Sequence, residues 1–183
     1  MPRVAKLHLR LPLHDRFLKV ISTMKFRQID QITELVPGVR ITATRTLRAD
    51  EDYLRDHFPL FPVMPGVLML EALYQAACLL IRASDDFQCS VLQMEEAKNV
   101  KFVDFMEPGN TLVITVEIIK NEADRVSLKA TGTKGTSTAV SARLVIRKSR
   151  LSDQRPELVH LDRFIANQPR QELVKLLAIG GQT

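Results

Sequence analysis

The sequence predicts an α+β domain in which one long buried helix lies against an antiparallel sheet of five or six strands. Three observations lead there. The stretch from Pro65 to about Ala83 is apolar on nearly every helical face, which marks a helix buried all round. Several segments alternate apolar and polar residues with period two, as half-buried strands do. The connections between them are short and rich in Pro, Gly, Asn and Asp, which suits antiparallel neighbours.

The elements follow in order. Residues 1–27 mix basic and apolar positions without a clean period and read as a short strand or coil, then one turn of helix. Pro37-Gly38 is a turn signal, and after it Val39, Ile41, Ala43 and Leu47 alternate with Arg40, Thr42, Thr44, Thr46 and Arg48. Residues 50–62 form an acidic, Pro-rich loop. Pro65 and Gly66 suit a helix start, the leucines that follow favour its continuation, and Asp85-Asp86 ends it. Gln88–Met94 is compatible with a strand, and Asn99–Phe105 precedes a Pro108-Gly109 turn. Thr111–Lys120 reads as a strong strand, followed by the alternating sets Val126, Leu128, Ala130 and Val140, Ala142, Leu144, Ile146. Past Arg147, Pro156 and Pro169 punctuate a basic segment in which Gln171–Ile179 is one amphipathic helix. The reading is a single domain over 1–147 with a basic extension at 1–27, and a second basic, partly helical extension at 148–183.

At 183 residues and 45% apolar content the chain suits one domain with a real core. No run of about 18 apolar residues is free of charge, so no membrane span is expected. Two cysteines, Cys78 and Cys89, make neither a disulfide framework nor a zinc cluster and point to a reducing compartment, here read as the cytoplasm. The net charge is +5, and it sits at the ends: residues 1–30 carry seven Lys/Arg against two acids, 143–183 carry eight against four, and the body between is acidic. A nucleic-acid partner is not expected, since no binding motif or stacking aromatics accompany these charges. A transit peptide at Met1–Val20 is disfavoured by Asp15, Pro2 and Pro12.

Within the apolar helix stand Glu71 and Gln75, four residues apart and so on one face. A desolvated carboxylate resists ionisation, which is what a general acid near neutral pH needs. The bland alternative is that Glu71 faces a solvent gap or a dimer seam. The preceding loop holds His57 among Pro59, Pro62 and Pro65, which stiffen it. The Gly66 N–H, at a helix start, has no intrahelical partner and can receive a developing negative charge.

The segment HFPLFPVMPGVLMLEALYQ, His57 to Gln75, resembles the signature of the (3R)-hydroxyacyl-acyl-carrier-protein dehydratases of bacterial fatty-acid synthesis. The likeness extends upstream to Ile29-Asp30-Gln31-Ile32 and Glu34 to Gly38, and downstream to Lys101-Phe102-Val103 and Pro108 to Leu112, covering about residues 26–147. The resemblance implies the hot-dog fold, a central helix wrapped by an antiparallel sheet, paired as a homodimer and in some members as three dimers. It implies His57 as the base at C2 of a 3-hydroxyacyl thioester and Glu71 of the partner protomer as the acid at the C3 hydroxyl. The Gly66 N–H would bind the thioester carbonyl, Gln75 would orient Glu71, and the product would be a trans-2-enoyl thioester. No metal or organic cofactor is implied. The expected tunnel residues are Phe58, Leu60, Phe61, Met64 and Val67. The family's usual glycines before the His and after His-Phe-Pro are replaced by Asp56 and Leu60, and its Tyr-Pro-Phe lead-in by Met24 to Gln28.

Acyl carrier proteins are acidic, so Arg143, Arg147, Lys148 and Arg150 are the expected docking cations. His8, His14 and His160 are expected at the surface, Cys78 in packing, Met64 and Met69 in core or tunnel, and Glu95-Glu96 as a solvated pair at a strand end. A hot-dog acyl thioesterase, a decayed acyl-binding protein, and a dehydratase of polyketides or specialised lipids are the competing readings.

Overall fold

A computed structural model describes residues 26–180. Most of the reading of 1–27, including the basic leader and His8 and His14, lies outside the described residues. Strands β1 (Gln31–Val36) and β2 (Arg40–Thr46) form a hairpin. Its turn uses Pro37 and then Gly38 at φ 78°, with the Val39 N–H donating to the Val36 carbonyl at 3.0 Å. A positive φ at that position is why glycine is needed there. The chain then leaves the sheet through a single 3₁₀ turn (Asp52–Arg55) and the Pro-rich loop, and enters helix α1 (Gly66–Ser84). It returns as β3 (Val91–Phe102), β4 (Thr111–Asn121), β5 (Arg125–Lys134) and β6 (Ser137–Ser149). The sheet order is β1-β2-β4-β5-β6-β3, antiparallel throughout. This is the expected α+β arrangement, with α1 wrapped by the sheet.

The alternation read from the sequence puts Ile41, Ala43, Leu112, Ile114, Val116, Leu128, Ala130, Leu144 and Ile146 on the face toward α1, essentially without exposure. Ala72, Ala76 and Ala77 let the helix approach that face closely. By length and mean hydropathy (1.4) α1 is long and apolar enough to cross a membrane, but it carries Glu71 and Arg82, and the sheet supplies its apolar surroundings. It is not buried all round: Val67 is 68% exposed, and Leu70, Glu71, Tyr74 and Gln75 are half-buried along one side.

Three sequence expectations change. Gln88–Met94 and Asn99–Phe105 largely belong to one edge strand, β3, whose period is broken by irregularities at Met94/Glu96 and Lys98/Lys101, with Asn99 at φ 52°. Glu95 therefore lies within a strand, gripped by Arg125 at 2.7 Å and by Arg147, and is not a solvated end residue. The C-terminal helix α2 (Val159–Gly180) is far longer than Gln171–Ile179 and runs through Pro169. Proline removes one intrahelical hydrogen bond, and tertiary anchors on both sides offset it. On one side Asp162, 8% exposed, accepts from the Leu151 and Ser152 N–H groups at 2.8 and 3.0 Å and from the Ser90 hydroxyl. On the other, Leu173 and Leu176 enter the main core, and Arg170 lies over the Phe87 ring and pairs with Asp86 at 2.7 Å. The helix thus straps the end of α1 and packs beside β1.

Burial alone would raise the Asp162 pKa, but the donors from Ser152, Ser90 and Leu151 outweigh it and hold the carboxyl at about 2. The folded-state pKa is below the ordinary 3.8, so the ionised form stabilises the fold above about pH 4, and that contribution fades as pH falls toward 2. Asp162→Ala is expected to cost roughly 2–3 kcal/mol in urea unfolding at pH 7 and much less near pH 2, where the parent has itself lost most of the carboxylate's contribution.

Candidate active site

The loop and the helix start meet over an open apolar cavity of about 330 Å³. His57, Phe58, Val63, Met64, Gly66 and Met69 line it from one side, and Phe102, Val103 and Phe105 from the other. The loop is held by hydrogen bonds from the His57 N–H to the Tyr53 carbonyl (3.1 Å), the Val63 N–H to the His57 carbonyl (3.2 Å), and the Met64 N–H to the Met106 carbonyl (2.8 Å). The imidazole Nδ1 lies 3.1 Å from the Val63 carbonyl oxygen. A carbonyl only accepts, so Nδ1 carries the hydrogen and Nε2 keeps the lone pair that a base requires. The Pro65 carbonyl already takes the Leu68 and Met69 N–H groups, and the Gly66 N–H, before the first helical turn, stays available at the positive end of α1. A Cβ on Gly66 would sit 3.0 Å from the Phe102 ring, so any larger residue there would push the ring aside by a few tenths of an ångström.

Glu71 does not line this cavity; it stands on the uncovered side of α1. Its partner is Gln75, whose Nε2 donates to Glu71 Oε1 at 2.8 Å and to the Phe26 carbonyl at 2.9 Å, while its Oε1 accepts from the Gln28 N–H at 2.8 Å. The Gln28 N–H can only donate, so the orientation of the Gln75 amide is decided: its NH₂ faces the carboxylate.

Leu60 is fully exposed, Phe61 packs edge-on against Phe105 with centroids 5.6 Å apart, and Val67 points outward; none of the three lines the cavity within one protomer. Met69 lines the cavity, one of the two places expected for it, and Phe102, Val103 and Phe105 are cavity residues that the tunnel expectation left out. The alternating pattern does not reveal them, because β3 is an irregular edge strand and Val103 and Phe105 lie beyond its end. His160 is exposed, as expected. Both cysteines are free thiols, and burial pushes the Cys78 thiol up to about 12, which suits packing and not nucleophilic work.

Sequence reasoning also missed Arg45. It is 6% exposed on β2, and its guanidinium reaches Glu51 at 2.6 Å, Asp30 at 3.6 Å, the Thr46 carbonyl at 2.9 Å and the Gln28 side chain at 3.1 Å. It falls on the core-facing phase of β2 with Ile41 and Ala43, and an arginine at that phase is the one sequence signal that it must find buried partners.

A six-stranded antiparallel sheet wrapped on one helix, with a histidine loop closing over that helix's N-terminus, defines a hot-dog-fold protein. Residues 21–143 match the FabA-like domain, and the chain belongs to that family. Among curated relatives, the 3-hydroxyacyl-[acyl-carrier-protein] dehydratase FabZ of Levilactobacillus brevis is 39% identical over 116 residues, 63% of this chain and 78% of that protein. FabZ of Albidiferax ferrireducens is 36% identical over 122 residues, 65% and 81% of the two chains. Among solved structures, the dehydratase heterocomplex ApeI:P from Xenorhabdus doucetiae superposes with a TM-score of 0.57 at 14% identity, covering 75% of this chain and 90% of that one. At that identity the likeness speaks to the fold. The family match ends inside β6, so α2 lies beyond it.

Gln75→Glu would set a second carboxyl against both Glu71 and the Phe26 carbonyl, which cannot donate. The introduced group would have a folded-state pKa above its unfolded one, so its tolerance is full below about pH 4.3 and lost as pH rises. Urea unfolding is expected to show a loss of on the order of 2 kcal/mol at pH 7.5 that shrinks at pH 4.

Proposed function

We propose that the chain is a 3-hydroxyacyl-[acyl-carrier-protein] dehydratase that turns a (3R)-3-hydroxyacyl thioester into the trans-2-enoyl thioester and water. The observation that carries this reading is the His57 ring, tautomer set by the Val63 carbonyl, beside the free Gly66 N–H in one apolar cavity, in a chain whose relatives carry that name. The Gly66 N–H and the helix dipole polarise the thioester carbonyl and so acidify C2. His57 Nε2 takes the C2 proton, and that C–H pair becomes the C2–C3 double bond. The C3–O bond breaks, and the departing hydroxyl takes a proton from Glu71 and leaves as water. Glu71 Oε1 is already an acceptor from Gln75, so the transferred proton comes from Oε2. His57 returns its proton to solvent and Glu71 regains one.

Glu71 of one protomer serves the His57 cavity of the other. Support comes from the apolar surface around that cavity: Phe58, Val67, Phe102, Val103 and Phe105 are 50–68% exposed, next to edge strand β3, while α2 packs beside the opposite edge strand, β1. A homodimer through β3 covers that patch and brings in the acid. Leu60, Phe61 and Val67 then become tunnel residues from the partner's side of the seam. The enzyme works in the cytoplasm, where its thiols remain reduced.

The acidic carrier docks on the outer face of β5, β6 and β3. Of the four cations first considered, Arg147 is held by Glu95, Lys148 by Asp85 at 3.0 Å, and Arg150 by the Gln88 carbonyl at 3.1 Å. Arg143 makes no ion pair among the described residues and faces Lys129 and Lys98 directly in register. Like charges side by side on adjacent strands are unfavourable alone and are relieved by an anionic partner. Phe102 of the cavity pairs with Val140, about 10 Å along β6 from Arg143.

His57→Ala and Glu71→Gln are each expected to lose at least about a hundredfold in kcat, measured by enoyl absorbance. Equal mixing of the two inactive variants, followed by subunit exchange, is expected to restore about a quarter of parental activity, since half the dimers hold one intact site; no recovery would place both groups within one protomer. Arg143→Glu with Lys129→Glu is expected to raise KM for the carrier-bound substrate about tenfold while kcat on a short-thiol analogue stays put; an unchanged KM would remove this face as the dock.

A further inference from the structure

The proposed acid is aimed by a chain of contacts that begins outside its own helix. Gln75 has every polar atom occupied: Oε1 by the Gln28 N–H, and NH₂ by the Phe26 carbonyl and Glu71. Two of its three partners belong to the Phe26–Gln28 segment, which has no strand structure of its own. What holds that segment is β2. The Gln28 side chain, 2% exposed, accepts from Arg45 Nε at 3.1 Å. Asp30 accepts from the Thr46 N–H at 2.7 Å, and its own N–H donates to the Thr44 carbonyl at 2.8 Å. Arg45 is itself locked by Glu51, whose side chain is 11% exposed. Burial works against the Glu51 carboxylate, yet its donors, the Arg48 N–H and the Arg45 guanidinium among them, hold it below the usual carboxylate range.

We infer that Arg45 and Gln28 are positioning residues for the dehydration: through the Gln28 N–H they fix the Gln75 amide with its NH₂ toward Glu71 and so fix which carboxyl oxygen is free to give the proton. Two contacts distinguish the ends of the amide, the Gln28 N–H, which only donates, and the Phe26 carbonyl, which only accepts; without the first, the second alone sets its orientation. Turned over, it would set Oε1 against both the Phe26 carbonyl and the Glu71 carboxyl, and Glu71 would be free to leave its rotamer. The guanidinium suits this task because its planar fork holds Glu51, Thr46 and Gln28 at once; an ammonium can keep the ion pair but not the whole fork. This inference rests on Glu71 being the acid.

Arg45→Lys keeps the buried charge pair and is expected to fold as the parent dimer. Assayed with a 3-hydroxyacyl thioester of a short thiol, it should lose about tenfold in kcat with KM within twofold, since the acid matters in the transition state and not in ground-state binding. Gln28→Pro deletes the donor itself and should lose more. Gln28→Leu, which retains the N–H, should lie between Gln28→Pro and the parent. In ¹⁵N spectra the Gln75 side-chain amide resonances should move in Arg45→Lys. A merely structural role would lower the melting midpoint and leave kcat of the folded enzyme unchanged. Folded Arg45→Lys with kcat within twofold of the parent and an unmoved Gln75 amide overturns the inference, whether or not Gln28→Pro folds. Glu71→Gln separates the two failures: if it stays active, the assignment of the acid is wrong, and if it is inactive while Arg45→Lys is fully active, only the positioning role is wrong.

Discussion

The molecule is organised around the removal of α1 from water. Nineteen residues this apolar are costly to expose, and six strands bend over them to bury Met69, Ala72, Leu73, Ala76, Ala77, Leu79, Leu80 and Ile81. A sheet covers a helix on most of its circumference but not all of it. The remaining side carries Val67, Glu71, Tyr74 and Gln75. Polar chemistry sits on that side because the buried side has no place for an unpaired carboxylate. The same constraint explains why we propose a site spread over two protomers: the surface that the sheet leaves open is the surface that a second copy would cover.

The wall of the site is stiff because its backbone groups are accounted for one by one. The histidine loop is tied to the 3₁₀ turn at Tyr53 and to Met106, and the imidazole is tied back to Val63 of the same loop. The acid is handled differently. Gln75 holds Glu71, and the segment that holds Gln75 is itself pinned by a buried arginine on β2. The proposed base is fixed by its own loop and the proposed acid from another element, so the positions of the two groups respond separately to substitution.

The C-terminal segment changes character once its contacts are known. As composition it is a basic extension past the family match. In the structure Leu173 and Leu176 belong to the main core, and Asp162 ties the helix start to the turn after β6 and to the start of β3. Several basic side chains nearby neutralise acids of the same chain, Arg147 with Glu95, Lys148 with Asp85 and Arg170 with Asp86. Formal charge counted along a sequence therefore overstates what the surface offers; among the described residues Arg143 and Lys129, in register on β5 and β6, are cations without an ion pair.

Periodicity and spacing were enough for the architecture, and they name half of the proposed site. Period-two alternation in β2, β4, β5 and β6, the apolar run of α1 and the two Pro-Gly turns are local properties, set by backbone geometry and by which side chains tolerate burial. The His57, Gly66, Glu71 and Gln75 spacing is local as well, since loop and helix are contiguous. Edge strand β3 was read in pieces because an edge is free to bulge and expose both faces. The length of α2 was hidden because Pro169 argues against a helix that only distant anchors hold together. Arg45 was overlooked for a different reason: it shares the buried phase of Ile41 and Ala43, but nothing within a few residues announces that Gln28, Asp30 and Glu51 converge on it. The sequence by itself determined what each segment prefers and which residues can do acid–base work. Only the tertiary structure decided which carboxylates and cations are consumed by partners and which way the Gln75 amide faces, because those depend on contacts between residues far apart in the chain.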